Sequence, residues 1–416
     1  MDFDVIVIGA GASGLFAAGK IASNGLSVCL LEKKTRPAIK LSITGKGRCN
    51  ITNSANLKEF VESFGNNGKF LYSAFSKFFN TDTINFFEQL GVKCRLERGG
   101  RYFPQSNDAH EIVNALIKYA KNNDAKIFTN SEVSKIICKN NKIENIVLKN
   151  GKILCANNYI LATGGKSYPL TGSTGDGYSF AKNLGHSVVK TQPALVPIVL
   201  KSEYLKQLNK LKLKNIEVSV VANNKKIKSY FGEMEFAVFG ATGPIILTMS
   251  SLIYDLISKN NTVKISINLK PSLDNKTLDA RLVRELNNFG NMPLRNMLKT
   301  LIPQQLIEVF MKENKFKHTE LCSNINKEKR QKILNGLTNF IFDVAGTRPI
   351  DEAIITKGGI CLNEIEQNTM KSKLIENLYF CGEILDIDGP TGGFNLQAAF
   401  STAYLASEAI TSNFNV

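Results

Sequence analysis

Residues 4–32 constrain the fold more tightly than any other stretch of this chain. Asp4-Val-Ile-Val-Ile8 is an apolar run bounded by glycine, the pattern of a strand buried in a parallel sheet. Gly9-Ala10-Gly11-Ala12-Ser13-Gly14 follows, then a helical pattern up to Asn24-Gly25, where a left-handed glycine would end the helix. A second buried strand, 27–31, ends in Glu32. Strand, glycine turn, helix, strand and terminal acid stand in the order a dinucleotide-binding fold requires. Gly9 makes the tight turn, Gly11 lets the backbone approach a pyrophosphate, and Gly14 lets helix and strand pack closely. The helix N-terminus then offers free N–H groups to phosphate. Glu32 can accept two hydrogen bonds from a ribose diol, and its charge would repel a 2′-phosphate.

Later segments point to a flavin in that site. Thr44-Gly-Lys-Gly-Arg-Cys-Asn50 is a second glycine-rich, basic loop, and Tyr159-Ile-Leu-Ala-Thr-Gly-Gly165 is a strand running into glycines. Gly172-Ser-Thr-Gly-Asp-Gly177 opens another helix. Near the C-terminus, Leu378-Tyr-Phe-Cys-Gly-Glu383 precedes Asp388-Gly-Pro-Thr-Gly-Gly393 and a final helix from Asn395. A Gly-Glu strand with a glycine-rich helix start suits a fixed flavin. The acid would hold the ribityl chain, and backbone N–H groups would stabilise negative charge on the reduced ring.

These motifs resemble those of the two-dinucleotide-binding-domain flavoproteins and of fumarate reductase flavin subunits. More narrowly, TGKGRCNITN (44–53), GRYFP (100–104), GKSYPLTGSTGDGYSFAKNLGH (165–186), PALVPI (193–198) and CGEILDIDGPTGGFNLQAAFSTAY (381–404) resemble the BaiN/RdsA family over essentially the whole chain. The resemblance implies an α/β, Rossmann-like FAD-binding domain and non-covalent FAD. It places cofactor contacts at Gly9, Gly11, Ala12, Ser13, Gly14, Glu32, Lys33, Gly45, Gly47, Arg48, Cys49, Val133, Thr163, Gly164, Gly382, Glu383, Asp388, Gly389, Gly392, Gly393, Phe394 and Asn395. One departure is Thr44-Gly-Lys, where many relatives carry Ser and a run of glycines; Lys46 thus puts a cation near the expected flavin. No second GxGxxG occurs, so NAD(P)H would dock transiently as electron donor.

Charge bears on the partner. Lys and Arg number 52 against 36 Asp and Glu, a formal +16. Residues 191–345 hold 23 basic and 13 acidic side chains, net +10, and the other 261 hold 29 and 23, net +6. Such density attracts polyanions by counterion release; simple drift in a Lys-, Asn- and Ile-rich chain is the plain alternative. The family implies dihydrouridine synthesis in ribosomal RNA for some members, and bile-acid or aminoacetone chemistry for others. Three hypotheses therefore stand: an RNA-reducing flavoenzyme, a small-molecule flavin oxidase or reductase, and a non-catalytic flavin-bearing RNA-binding factor. No apolar run is long enough to span a membrane. Eight scattered cysteines without metal spacing point to reduced thiols, a cytoplasmic setting and no metal. A monomer and a homodimer fit equally well.

The chain reads as a discontinuous FAD-binding domain, 1–191 and 345–416, with an inserted, basic, mixed β/α domain at 192–344 expected to cap the substrate. Phenylalanines between 58 and 90 recur at helical spacing and read as a core face. Cys49, beside Arg48 and free amides, would have a lowered pKa and protonate substrate, or be a small packed residue. By resemblance to related reductases, Lys357 would contact substrate or the flavin edge. Gly240, Thr242 and Arg348 are the remaining substrate candidates; 240–244 would open a helix at Pro244 and present N–H groups to an anion, or form a tight interdomain turn. His110 and His186 read as helix caps, His318 as a surface residue, and the three as no metal or triad constellation.

Overall fold

The computed structural model describes residues 2–414. It divides into two compact units, one running up to Ala194 and resuming at Ile350, the other Leu195–Pro349.

The first unit is built on a five-stranded sheet in the order Leu378–Phe380, Ala156–Leu161, Phe3–Ile8, Val28–Leu31, Lys126–Phe128. Every neighbouring pair is parallel. Parallel strands buried on both faces need near-continuous apolar sequence, and Val5, Ile6, Val7, Cys29 and Leu30 are wholly buried. Ile8 pairs with Leu31 on one side and Leu161 on the other, and Leu161 pairs with Phe380. Four strands therefore end level, and the segments leaving them emerge along one rim. The strand order reverses at Phe3–Ile8, so this rim is the switch point where open α/β sheets bind ligands.

Helix Ala12–Ala22 covers the sheet and packs on the long helix Phe394–Phe414, with Lys20 and Glu408 at 3.1 Å. The expected aromatic face at 58–90 is core: Phe60, Phe75 and Phe87 are at most 1% exposed. It is not one helix, however. The chain breaks into Leu57–Ser63, a 3-10 turn Gly65–Leu71, Tyr72–Lys77 and Asn80–Gln89. Gly68 permits the chain after one break to abut the preceding helix, since a Cβ there would lie 1.8 Å from the Val61 carbonyl oxygen.

The second unit is a closed six-stranded barrel. Its order is Ile198–Lys201, Gly240–Thr242, Lys225–Ala237, Lys212–Ala222, Val263–Asn268, Phe340–Thr347. Val218, Val220, Ile265 and Ile267 fill it. Helices Pro244–Ser258, Asn275–Phe289, Leu294–Leu298, Gln304–Glu313 and Lys327–Thr338 complete the unit. Pro293 and Pro303 cap the third and fourth of these, which accounts for the interruptions. Hydrogen bonding moves both expected domain limits. Gln192–Ala194 pairs antiparallel with Ile355–Lys357 and so belongs to the first unit, while Phe340–Thr347 is a barrel strand, which assigns 345–347 to the second.

Candidate functional site

The rim of the parallel sheet gathers the sequence motifs. Gly9 has φ +104°, and a Cβ there would lie 2.5 Å from the Ala162 carbonyl oxygen. A Cβ on Gly14 would lie 1.9 Å from the Gly9 carbonyl oxygen, so helix and turn are in backbone contact. Gly11 differs. Its φ of −81° is open to any residue, and a Cβ there would meet nothing within 4 Å. Ala12 begins the helix behind it, with no side-chain cap and no acid in the first turn. Free N–H groups facing open space make an anion cradle. Ser13 is packed against Gly382, where a Cβ would come within 2.6 Å of its Oγ.

Glu32 leaves the second strand on the same rim. Its Oε2 accepts from Ala10 N at 3.1 Å and its Oε1 from Lys34 N at 2.8 Å. Burial raises its pKa, and those two hydrogen bonds oppose the rise. Each carboxylate oxygen keeps a lone pair for a ribose hydroxyl. Ser131 N donates to the Glu32 carbonyl at 2.8 Å, which brings the start of strand Val133–Lys139, and buried Val133, beside the acid. Lys33 is committed elsewhere: its ammonium lies 2.6 Å from Thr174 Oγ1 and 2.8 Å from Asp176.

At the other end of the rim, Glu383 has protein partners of its own. Its carboxylate is shared among three protein donors, which leaves one lone pair on Oε2 for a ribityl hydroxyl. Oε2 accepts from Lys40 Nζ at 2.7 Å, and Oε1 accepts from Thr356 N at 2.9 Å and Ser167 Oγ at 3.1 Å. Lys40 also donates to Ser167 at 2.7 Å. Lys40, Ser167 and Thr356 were not singled out from the sequence, because nothing local marks residues that meet only through the fold. Gly164 is left-handed at φ +73°, and beside it Thr163 Oγ1 is buried with no hydrogen-bond partner among the described residues.

The 389–393 loop is held by amides. Asn395 Oδ1 accepts from Gly389 N at 2.8 Å while its Nδ2 donates to the Gly389 carbonyl at 2.9 Å; Asn53 Nδ2 donates to the Gly392 carbonyl at 2.8 Å. Gly393 must be glycine, since its φ is +98° and a Cβ would lie 2.3 Å from the Thr52 carbonyl oxygen. Phe394 packs on Phe60, ring centroids 4.5 Å apart. Asp388 is half-buried in the segment entering this loop. Helix Phe394–Phe414 starts here with no acid in its first turn. With the Gly11 cradle, the two helix N-termini and Glu32, the residues fit an FAD.

The HI0933-like protein Rossmann domain matches residues 3–409. The chain belongs to the HI0933-like family. Over 408 residues it is 30% identical to a ribosomal RNA dihydrouridine synthase of Haemophilus influenzae, covering 98% of each chain. It is 29% identical to the protein of that name from Escherichia coli, covering 98% of this chain and 97% of that one. It is 27% identical to a 3-dehydro-bile acid delta(4,6)-reductase of Clostridium scindens, covering 97% and 98%. Among solved structures, a flavocytochrome c3 fumarate reductase superposes with a TM-score of 0.54 at 18% identity, covering 99% of this chain and 78% of that one. A 3-ketosteroid dehydrogenase from Rhodococcus jostii gives 0.52 at 13% identity, covering 98% and 96%. The fold is thus the expected one, that of flavin-dependent oxidoreductases.

Within this HI0933-like chain, one chemical expectation is overturned, the lowered pKa of Cys49, and its reading as a packed residue fits. The 44–49 loop is a left-handed run through Gly45, Lys46, Gly47 and Cys49, with Lys46 exposed. Cys49 is 0% exposed, and burial pushes its thiol up to about 12, opposite to the lowering expected from its cationic neighbour. Arg48 explains the difference. Its guanidinium pairs with Glu97, donates to Asn107 at 2.7 Å and stacks 4.0 Å over Phe103, so its charge is spent on structure. Lys357, half-buried, ends the strand Ile355–Lys357 next to the Glu383 cluster.

The candidates in the second unit are structural in their backbone roles. A Cβ on Gly240 would lie 2.2 Å from the Ile198 carbonyl oxygen, so this glycine serves strand packing; Gly240–Thr242 is a barrel strand, not a turn. Arg348 N donates to the Pro197 carbonyl at 2.9 Å, and its guanidinium lies 4.9 Å from the Phe239 ring.

His186 is more than a cap. Its Nδ1 lies 3.1 Å from Glu364 and its Nε2 2.8 Å from Ser372 Oγ. Histidine and serine are both buried, so this Ser-His-Glu chain braces the fold and has no access to substrate.

Proposed function

We propose that this chain, an FAD-dependent oxidoreductase by family and fold, uses NAD(P)H to reduce the C5=C6 bond of uridine in ribosomal RNA. The observation that carries the RNA reading is the charge of the barrel unit. Leu195–Pro349 holds 24 basic and 13 acidic residues, a net +11. A small steroid or amine has no use for such a field, whereas RNA binding draws its affinity from it. Two full-length relatives bearing the name ribosomal RNA dihydrouridine synthase support the same reading.

Bound FAD would supply hydride from its reduced ring. The chain's own contribution is binding and charge placement. The Gly11 cradle and the helix at Ala12 would hold the pyrophosphate, and Glu32 the adenosine ribose. Hydride addition at C6 of uracil leaves negative charge on the C4 oxygen, which needs a hydrogen-bond donor; Lys357 is the side chain we assign to it. In this reading buried Cys49 is not the proton donor, and the enolate takes its C5 proton from water. The target base must leave its stack, so open RNA is the better substrate.

A second reading, reduction of an enone-type small molecule, is favoured by the 27% identical bile acid reductase. The deciding experiment incubates the FAD-loaded protein with NADPH and deproteinised ribosomal RNA, then maps the RNA by mass spectrometry. One uridine heavier by two hydrogens is expected. Unchanged RNA together with turnover of a steroid enone would replace the first reading by the second.

A further inference from the structure

The first unit contains one Rossmann sheet, and the second is a barrel. Neither offers a second parallel-sheet switch point for a nicotinamide dinucleotide. A donor of that class must find its phosphate contacts elsewhere.

A cavity of about 480 Å³ within the first unit supplies them. One wall is the face of helix Asp176–Asn183 bearing Tyr178, Ser179 and Lys182, another is the 188–191 segment with Val189 and Lys190, and Lys166 closes it. The volume lies within the roughly 300–1,000 Å³ usual for small-ligand sites. Val189 is 42% exposed, an apolar surface left for a ring face.

The charge balance is one-sided. Asp176 is the sole acid of the lining, and Lys33 neutralises it at 2.8 Å. Lys166, Lys182 and Lys190 are exposed and have no ion-pair partner among the described residues. Three uncompensated cations around one cavity attract a multiply charged anion.

The cavity is also tied to the site already described. Lys166 N donates to Thr356 Oγ1 at 2.7 Å, and Thr356 N donates to Glu383. Val189 N donates to the Gly359 carbonyl at 2.8 Å, and a Cβ on Gly358 would lie 2.5 Å from the Lys190 carbonyl oxygen. The segments bearing Lys166 and Lys190 are therefore anchored on the 356–359 stretch that contains Lys357.

We propose that this cavity binds the phosphates of the electron-donating nicotinamide dinucleotide, an inference that rests on the NAD(P)H-linked reading above. Three cations exceed the two charges of a pyrophosphate, so the third fits a 2′-phosphate and the preferred donor is NADPH.

The test uses FAD-loaded protein carrying Lys182→Glu and Lys190→Glu, with Lys182→Gln and Lys190→Gln as a milder pair. The Kd of NADP⁺ is measured by equilibrium dialysis, and NADPH half-saturation by anaerobic flavin bleaching. Reversing two charges should raise both by about tenfold or more, with FAD content unchanged and a smaller effect for NADH. A Kd within about twofold of the parent in both pairs overturns the proposal. So does weakened RNA binding with NADP⁺ binding intact, which would give the cavity to RNA. If the parent itself neither binds NADP⁺ nor is bleached by either nucleotide, the donor assignment fails and the cavity assignment falls with it. A bleached parent with insensitive variants sinks the cavity alone.

Discussion

Lys40 and Glu383, 343 residues apart in sequence, meet at 2.7 Å with about four-fifths of each side chain buried. The pair joins the segment after the second strand to the end of the last strand of the same sheet. Through Ser167 and Thr356 it also fixes the loop after Ala156–Leu161 and the strand Ile355–Lys357. A partly buried ion pair adds little net stability, but removing one partner strands the other.

Lys40→Met should therefore destabilise the protein by about 1–3 kcal/mol, the range for a lost hydrogen bond to a charged group. Lys40→Met combined with Glu383→Gln should recover part of that loss, because no lone charge is left behind. Urea unfolding of the four proteins measures the coupling. Strict additivity of the two changes would mean that the contact does not hold the rim together.

Gly11 and Gly14 should fail in different ways. Gly14→Ala drives a methyl to 1.9 Å from a carbonyl oxygen and should cost the apoprotein about 4 kcal/mol or more. Gly11→Val meets open space at a permitted φ of −81°, so apoprotein stability should change by about 1 kcal/mol or less. Its side chain would fill the volume the pyrophosphate needs, and the purified protein should be colourless. Normal FAD content in Gly11→Val would move the phosphate site away from this turn.

What could be read from the sequence was local. The strand-turn-helix at 4–25 follows from apolar continuity and glycine spacing, and both survive without tertiary information. Contacts between distant segments left no such trace. Arg48 sits next to Cys49 in sequence, yet its charge goes to Glu97 and Asn107, 49 and 59 residues away. Cys49 itself faces the core. The barrel shows the same limit: alternation marks its strands, but closure depends on pairing Ile198–Lys201 with Phe340–Thr347. Among the phenylalanines at 60–87, burial was legible and the helix breaks were not. Gly68 acts through its close approach to the Val61 carbonyl, seven residues back, which the spacing of apolar residues does not reveal.

Acid should destabilise the first unit through His186. Ser372 Oγ accepts backbone N–H groups from Leu374 and Ile375 and so donates its proton to Nε2, which leaves Nδ1–H to donate to Glu364. The histidine is thus held neutral: burial lowers its pKa from 6.5, with Glu364 opposing. A depressed folded pKa means the unfolded chain binds the proton more readily. Stability is then full above pH 6.5 and falls as pH drops below it, by at most about 1.4 kcal/mol per pH unit for one proton. Burial works against ionised Glu364, yet hydrogen bonds from Ser187 and His186 win and lower its pKa from 4.5, so its loss continues the decline at lower pH. His186→Gln should be less stable at pH 7.5 and lose less between pH 6.5 and 5.5. Parallel curves for parent and variant would place the acid sensitivity in another group.

Cys49 should be chemically silent. A thiol with no exposed surface, pushed up to about 12, presents almost no thiolate at neutral pH. Iodoacetamide should label exposed Cys138 first and leave Cys49 untouched in folded protein. Cys49→Ala should keep the rate of substrate reduction within about threefold of the parent, far from the 10²-fold or greater loss expected of a positioned acid. A hundredfold loss with FAD content intact would restore the cysteine to the chemistry.

RNA affinity should fall steeply with salt and depend on the barrel's lysines. If about six phosphates are neutralised, the log–log slope should be near −4 to −5, at roughly 0.7 per single-strand contact. Lys225, Lys226 and Lys228 are all exposed on the strand Lys225–Ala237, but they are not equivalent. Lys226 already pairs with Glu217 at 3.1 Å, whereas Lys228 lies 5.3 Å from the Tyr230 ring and leaves its charge available to phosphate. Lys225→Glu with Lys228→Glu should therefore flatten the slope by about 0.7 per lysine, and adding Lys226→Glu should change it less. FAD content should stay constant, because the cofactor residues lie in the other unit. A parental slope near zero would remove the electrostatic basis for an RNA substrate. Loss of flavin in the double variant would instead mean that these lysines act on the fold.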